Sequence, residues 1–256
     1  LPGSDPVLAR EVIVYSAHLD HLGIGPAVAG DSIYNGAYDN ASGVAIMLEL
    51  ARAFRALPRA PRRTLAFVAL TGEEKGMQGS DYFARRPGLP GRRVVGDINL
   101  DMILMLRPFT EVIAFGAEHS SFDGTVRRAA RAMGAPRGER PIQVRPDPDP
   151  ADVVFIRSDQ FSFIRQGIPA VFPTPGPGPT PEDVAGERAW LRDHYHHPDD
   201  DASQNMDVAA GARFARFCLL LGFETANAPR PPEWKRGDFF GRTFGKWAAA
   251  DAGNRP

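Results

Sequence analysis

The sequence predicts an α/β fold built on a central sheet of buried parallel strands. Three observations carry that prediction. Apolar runs with no polar alternation recur at residues 12–17, 64–70, 94–100 and 112–115, the pattern of strands buried on both faces, as parallel strands are. Stretches of helical period fall between them: Val44, Met47, Leu48, Ala51 and Phe54 recur at three- and four-residue spacings, and residues 122–133 form a second apolar stripe with a basic outer face. Polar residues capable of chemistry stand directly after the apolar runs, at the strand ends where open α/β sheets place their ligands.

A length of 256 residues is enough to bury a large core. Residues 1–226 read as one domain, and residues 227–256 as a tail packed on its surface. Hydrophobic content of 43% with 24% charged residues is that of an ordinary globular protein. A net charge of -1 with scattered arginines argues against nucleic acid as the partner, which requires clustered positive charge. The single cysteine, Cys218, allows no disulfide framework and no thiolate metal site, and it reads as a small buried hydrophobe. No run approaches the roughly 20 apolar residues of a membrane span. The chain starts at Leu1 rather than methionine, so a processed or truncated start is expected, with a secreted or periplasmic location.

In chain order, residues 1–10 are an irregular lead-in. The strand at 12–17 ends in His18-Leu19-Asp20-His21. If extended geometry persists, His18 and Asp20 share a side, and the carboxylate can orient the imidazole from behind; a surface turn is the alternative. Residues 23–36 read as a Gly-rich loop leading to Asp39-Asn40-Ala41-Ser42-Gly43 and the helix that follows. Asp39 reads either as the N-cap of that helix or as a ligand. The strand at 64–70 delivers Gly72-Glu73-Glu74-Lys75-Gly76, about which the rest of the chain is organised. Successive strand residues point to opposite sides, so the two glutamates are expected to do different jobs.

Residues 80–86 read as a short helix ended by Pro87 and Gly88, and the strand at 94–100 delivers Asp101. Residues 137–152 carry four prolines and read as a rim loop; 157–167 open a short helix and 168–172 a short strand. Residues 173–181, rich in Pro, Gly and Thr, read as a surface loop. The loop leads to the polar cluster at 193–200, and a helix over 209–225 precedes the tail with Trp234, Phe239, Phe240, Phe244 and Trp247.

His18, Asp39, Glu74, Asp101 and His196 form a nitrogen-and-oxygen ligand set without sulfur, suited to zinc or cobalt. Five ligands exceed the need of one catalytic ion. With one carboxylate bridging they suffice for two ions about 3.5–4 Å apart. Asp39 is the natural bridge, with His18 and Asp101 on one ion and Glu74 and His196 on the other; Glu73 remains as general base for the attacking water. Among the three histidines of the cluster, the Tyr-His-x-Pro-x-Asp pattern selects His196, with Asp200 as its supporting partner.

On these residues the chain resembles the family M28 zinc peptidases, the co-catalytic aminopeptidase group. The matching segments are Ala17-His18-Leu19-Asp20-His21, Asp39 to Gly43, Gly72 to Ser80, Asn99-Leu100-Asp101-Met102, Arg157-Ser158-Asp159 and Tyr195 to Asp200, in the family's order. The resemblance implies an α/β fold with a mixed, mainly parallel central sheet and helices on both faces, two Zn2+ ions, with Co2+ as a substitute, and a peptide substrate with a free N-terminus. It adds Tyr195 as hydroxyl donor to the tetrahedral intermediate and Arg157 as a substrate contact. Carboxypeptidases and a glutaminyl cyclase share the scaffold, and a metal-binding domain without catalysis is the non-enzymatic alternative. Two departures stand out. Gln160 occupies a position where many relatives carry His, so altered bonding near Arg157 is expected. Only residues 1–10 precede the first strand, so edge strands of the family sheet are expected to be missing.

Overall fold

The computed structural model describes residues 1–134 and 141–252, with side chains through residue 245. Strand β1 (Glu11–His18) is buried along all but its first residue. Strand β4 (Thr64–Leu70) pairs with it in parallel on one side, and β5 (Arg93–Asn99), also parallel, on the other. The sheet continues through β8 (Ala170–Pro175) to β6 (Glu111–Phe115) and β7 (Gln143–Arg145), giving the order β4-β1-β5-β8-β6-β7. β6 runs antiparallel to β8 and β7 parallel to β6, so two strands oppose the other four. The sheet is therefore mixed and mainly parallel.

Alternate residues of β1 feed opposite faces, as a two-residue period requires. Ile13 and Tyr15 join a core closed by helices α1 (Ser42–Arg55), α3 (Phe122–Ala132) and α6 (Val208–Asn227), through Leu50, Phe54, Val126, Phe214 and Leu221. Tyr15 also donates from its hydroxyl to the Cys218 carbonyl at 2.7 Å, pinning α6 to the central strand. Val12 and Val14 face a second core with α2 (Gln78–Arg85) and α4 (Gln160–Arg165), through Ala84, Phe163 and Ile164.

Several local expectations give way. Residues 23–36 contain a hairpin, β2 (Gly23–Val28) and β3 (Asp31–Tyr34), rather than a loop alone. Its two turn residues, Ala29 and Gly30, have φ of 51° and 90°, the left-handed pair that a tight hairpin needs. β4 lies at the edge of the sheet and is only partly covered, so its unbroken apolar run does not report burial on both faces. Pro173 and Pro175 belong to β8 because the donors they lack would point away from β6, on the side where pairing with β5 has ended at Val171. Within the proline-rich stretch, β7 forms at Gln143–Arg145; residues 135–140 lie outside the described residues. Helix α5 (Pro181–His194) was not anticipated, although Thr180 and Asp183 form a reciprocal capping box at its start.

Beyond α6 the chain folds back along the second core before α7 (Phe239–Ala252). Trp234, Phe240 and Phe244 pack against that core, Phe239 is exposed, and the side chain of Trp247 lies outside the described residues. His119 is held between the face of Phe155, with ring centroids 5.3 Å apart, and the edge of Phe240 at 4.8 Å. Its Nδ1 stands 2.7 Å from Asp238 Oδ2. Gly116, with φ 84°, leaves room for the Phe155 ring, which a Cβ would strike.

Candidate metal centre

Parallel pairing sets the carboxyl ends of β4, β1 and β5 side by side, since His18 is level with Leu70 and Ser16 with Asn99. The residues just beyond those ends converge. His18 Nδ1 faces the Asp20 carbonyl oxygen at 3.0 Å, and Nε2 faces Asp101 Oδ1 at 3.1 Å and Asp39 Oδ1 at 3.3 Å. The group that orients His18 is thus the main-chain carbonyl of Asp20. The Asp20 carboxylate stands off at 3.8 Å and accepts instead from the Glu73 N–H at 3.4 Å, because the chain turns after β1 rather than staying extended. His18, Asp39 and Asp101 are all buried. Burial opposes a charge on His18, but hydrogen bonds to and charges of Asp101 and Asp39 override it and raise the imidazole to about 12. The cluster is a place where positive charge is strongly stabilised.

Asp39 does not cap α1, which begins three residues later at Ser42. Asp200 holds its loop: Oδ1 and Oδ2 accept from the Tyr38 and Asp39 N–H groups at 2.8 and 3.0 Å. Asp200 therefore supports the Asp39 loop and not the His196 ring, a main-chain role that side-chain spacing does not reveal. Asn40 and Ser42 then tie this loop to the next strand end. Asn40 donates to the Leu100 carbonyl and accepts from the N–H groups of Gly43 and Met102, while Ser42 Oγ accepts from the Ile103 N–H at 3.0 Å. Gly43 is required because a Cβ there would collide with the Leu100 carbonyl and the Asn40 side chain.

Glu73 and Glu74 lie past the end of β4, in a turn where Glu73 O accepts from the N–H groups of Gly76 and Met77, both at 2.9 Å. The turn, not the phase of a strand, sends the two carboxylates apart. Glu74 Oε2 is 3.2 Å from His196 Nε2, which is also 3.3 Å from Asp39 Oδ2. His196 itself has a left-handed backbone, φ 59°, uncommon for a residue with a Cβ. Burial raises Glu74, but the close approach of the His196 and His21 rings outweighs it and lowers the carboxyl; the nearness of Asp39 and Glu74 raises His196 to about 9 against its burial. His21, not singled out from the sequence, stands in this half too, with Nδ1 2.9 Å from Glu74 Oε1. Its position directly after His18-x-Asp20 was the available signal.

Glu73 makes no side-chain hydrogen bond or ion pair among the described residues. Burial, reinforced by the charges of Asp101 and Asp159, raises its carboxyl to about 8. The Tyr195 ring stacks on His196 at 3.9 Å, and burial plus the charges of Asp39, Glu74 and Asp101 raise its phenol, keeping it a hydroxyl donor. Arg157 is exposed, close enough for its charge to act on Tyr195, and has no ion pair among the described residues.

A buried polar floor underlies Asp101. Ser158 Oγ donates to Asp101 Oδ2 at 2.5 Å and accepts from Asn99 Nδ2 at 2.9 Å. Gln160, the departure at the usual His position, is part of this floor: it accepts from Asn99 at 2.7 Å and donates to the Phe155 carbonyl at 3.0 Å. Ser16 Oγ lies 2.9 Å from Asp97 Oδ1 and 3.0 Å from Asn99 Oδ1. One hydroxyl proton cannot serve two acceptors, so the network closes if Asp97 is a neutral acid donating to Ser16. Burial pushes Asp97 in that direction, well above the usual carboxylate range.

The donors fit divalent cations in two groups, His18/Asp39/Asp101 and His21/Asp39/Glu74, each with ligand atoms within 4.8 Å of one another. Glu74 Oε1 and both His21 ring nitrogens are buried with no hydrogen bond, as groups reserved for an ion would be. Beside the centre a cleft of about 300 Å³ has Leu19, Val44 and Leu48 as its apolar wall and shares Asp20, His21 and Asn40 with it.

Comparison with known proteins places this geometry in a class and then in a family. The fold is that of LapA aminopeptidase from Legionella pneumophila, at 19% identity and TM-score 0.61 over 86% of this chain and 52% of that one. It is equally that of Porphyromonas gingivalis glutaminyl cyclase, at 20% identity and TM-score 0.60 over 84% and 73%. The profile of Peptidase family M28 matches residues 1–221, and the chain belongs to that family. A probable zinc metalloprotease of Pyrenophora teres f. teres is 40% identical over 249 residues, 87% of this chain and 50% of that protein. One from Phaeosphaeria nodorum is 38% identical over 88 residues, 33% and 17%. The chain thus spans half or less of the length of these relatives. Among the described residues no helix is long and apolar enough to cross a membrane.

Proposed function

We propose that this chain carries the catalytic centre of a two-zinc metallopeptidase that removes N-terminal residues from peptides. The observation that carries the reading is a pair of ligand groups sharing Asp39, with an unpaired, half-buried Glu73 beside them. His18, Asp39 and Asp101 would hold one ion, and Asp39, Glu74 and His196 the other. Bound zinc supplies Lewis acidity to the scissile carbonyl and acidifies water. Glu73 takes a proton from the attacking water and passes it to the leaving amine. The Tyr195 hydroxyl donates to the developing oxyanion, and Arg157 contacts the substrate. Zinc is supported by the names of the curated relatives, and aminopeptidase action by LapA.

Likeness to a glutaminyl cyclase supports a second reading, cyclisation at an N-terminal glutamine. The deciding experiment measures zinc content and hydrolysis of a panel of aminoacyl-p-nitroanilides, free and N-acetylated, together with cyclisation of a glutaminyl peptide. An aminopeptidase hydrolyses only the free amines and loses activity on chelation until zinc or cobalt is returned. Full hydrolysis of blocked substrates, or by metal-free protein, overturns the proposal.

A further inference from the structure

The second ligand group contains an imidazole that the five-ligand scheme leaves idle. The His21 side chain is 5% exposed, and neither ring nitrogen makes a hydrogen bond. Nδ1 points at Glu74 Oε1, 2.9 Å away, and lies 3.9 Å from Asp39 Oδ2. A neutral imidazole carries one N–H and one lone pair, and burying the lone pair unused beside two carboxylates is costly unless an ion takes it. His196 approaches the same two carboxylates from the other side, its ring edge-on to His21 with centroids 5.5 Å apart. Glu74 therefore offers Oε1 to one imidazole and Oε2 to the other.

We infer that His21 Nδ1 is a ligand of the second ion, together with Asp39, Glu74 and His196. The inference rests on the two-zinc reading above. It makes the two positions unequal. His18, Asp39 and Asp101 would hold one ion with three residues, as catalytic zinc sites do, whereas His21 would bring the residues holding the other ion to two imidazoles and two carboxylates, the number that closed structural sites use. The substrate carbonyl and the attacking water would then fall to the His18 side, and the residues on the His21 side would serve to fix Asp39. The competing role for His21 is as an N–H donor that orients Glu74, in which case Nδ1 keeps its proton in the loaded protein.

The two roles separate in the imidazole 15N spectrum of the wild-type protein labelled at histidine and titrated with zinc. Expected is a shift of His21 Nδ1 to the position of a metal-bound nitrogen, with Nε2 protonated, as the second equivalent binds. Two bound equivalents with Nδ1 still protonated overturn this inference alone. Saturation at one equivalent overturns the two-zinc reading and this inference with it. A chelator competition on His21→Ala and His21→Gln gives an independent readout, with second-ion affinity expected to fall at least about tenfold and the first unchanged. Unchanged second-ion affinity in both variants overturns the inference, and the wild-type spectrum decides the matter if either variant fails to fold.

Discussion

The two halves of the centre are built differently. On the His18 and Asp101 side the donor side chains are braced by neutral groups: the Asp20 carbonyl behind His18, and the buried Ser158 and Asn99 behind Asp101. Around Glu74 there is little bracing. Glu74 sits in a turn beyond an edge strand, and His196, whose side chain is 34% exposed, sits in a tight turn after α5. One half is specified by its supports and the other by its donors. Supports that fix rotamers in advance remove the ordering cost of binding, so loss of a support should harm the first half, and loss of a donor the second.

In the proposed mechanism Glu73 serves both halves and belongs to neither, so its replacement should give the largest effect. Glu73→Gln is expected to lower kcat by about 10²–10⁴ with metal content unchanged; zinc loss in metal analysis would instead put Glu73 among the ligands. His196→Ala removes a donor from the unbraced half. Removing a support typically costs about 10–100-fold in metal affinity, so losing the ligand should cost more than about 100-fold for one ion, while His194→Ala and His197→Ala change little. If His197→Ala alone removes the ion in a zinc titration, the turn presents a different imidazole. Ser158→Ala tests the braced half. It should weaken one ion by about 10–100-fold and spare the other, and equal weakening of both would erase the distinction between the halves.

The smallest effect is expected beneath the braced half, at Asp97. Above the usual carboxylate range, a neutral Asp97 in the native state keeps a proton that the unfolded chain has already released. Its contribution to stability is therefore full at low pH and is lost as pH rises. Asp97→Asn preserves a donor toward Ser16 and removes that dependence, up to about 1.4 kcal/mol per pH unit. Urea unfolding of metal-free protein at pH 5 and pH 7 checks it: identical pH slopes for the wild-type protein and the Asp97→Asn variant would mean that the native carboxyl is ionised.

How much could be read from the sequence follows from the same contrast. The ends of β1 and β5 are encoded in apolar runs, so His18 and Asp101 fall beside each other by parallel pairing, and the structure also brings Asp39, Glu74 and His196 to them. Partners that are main-chain atoms leave no side-chain pattern, which hid the work of Asp200 on the Asp39 loop and of the Asp20 carbonyl on His18. His21 was obscured because an extended chain would have placed it opposite His18, and the turn after β1 reverses that. Helix α5 escaped notice because Trp190 is its only buried residue, so it carries hardly any apolar stripe.

The contact of Phe155 with His119 and Phe240 has a consequence in time. Asp101 is steadied by Ser158, which belongs to the segment that Phe155 and Phe161 anchor, and those rings rest on Phe240 and Phe244. At about 5–20 residues per second on the ribosome, Phe155 waits on the order of ten seconds for Phe240 to be made. Throughout that interval Phe155 and Phe161 lack the cover that Phe240 and Phe244 give them. A released chain ending at Asn227 should therefore retain zinc more weakly than one that also carries the segment through Ala252, as read by a zinc-competing dye, and equal retention would show that the centre forms without its aromatic cover.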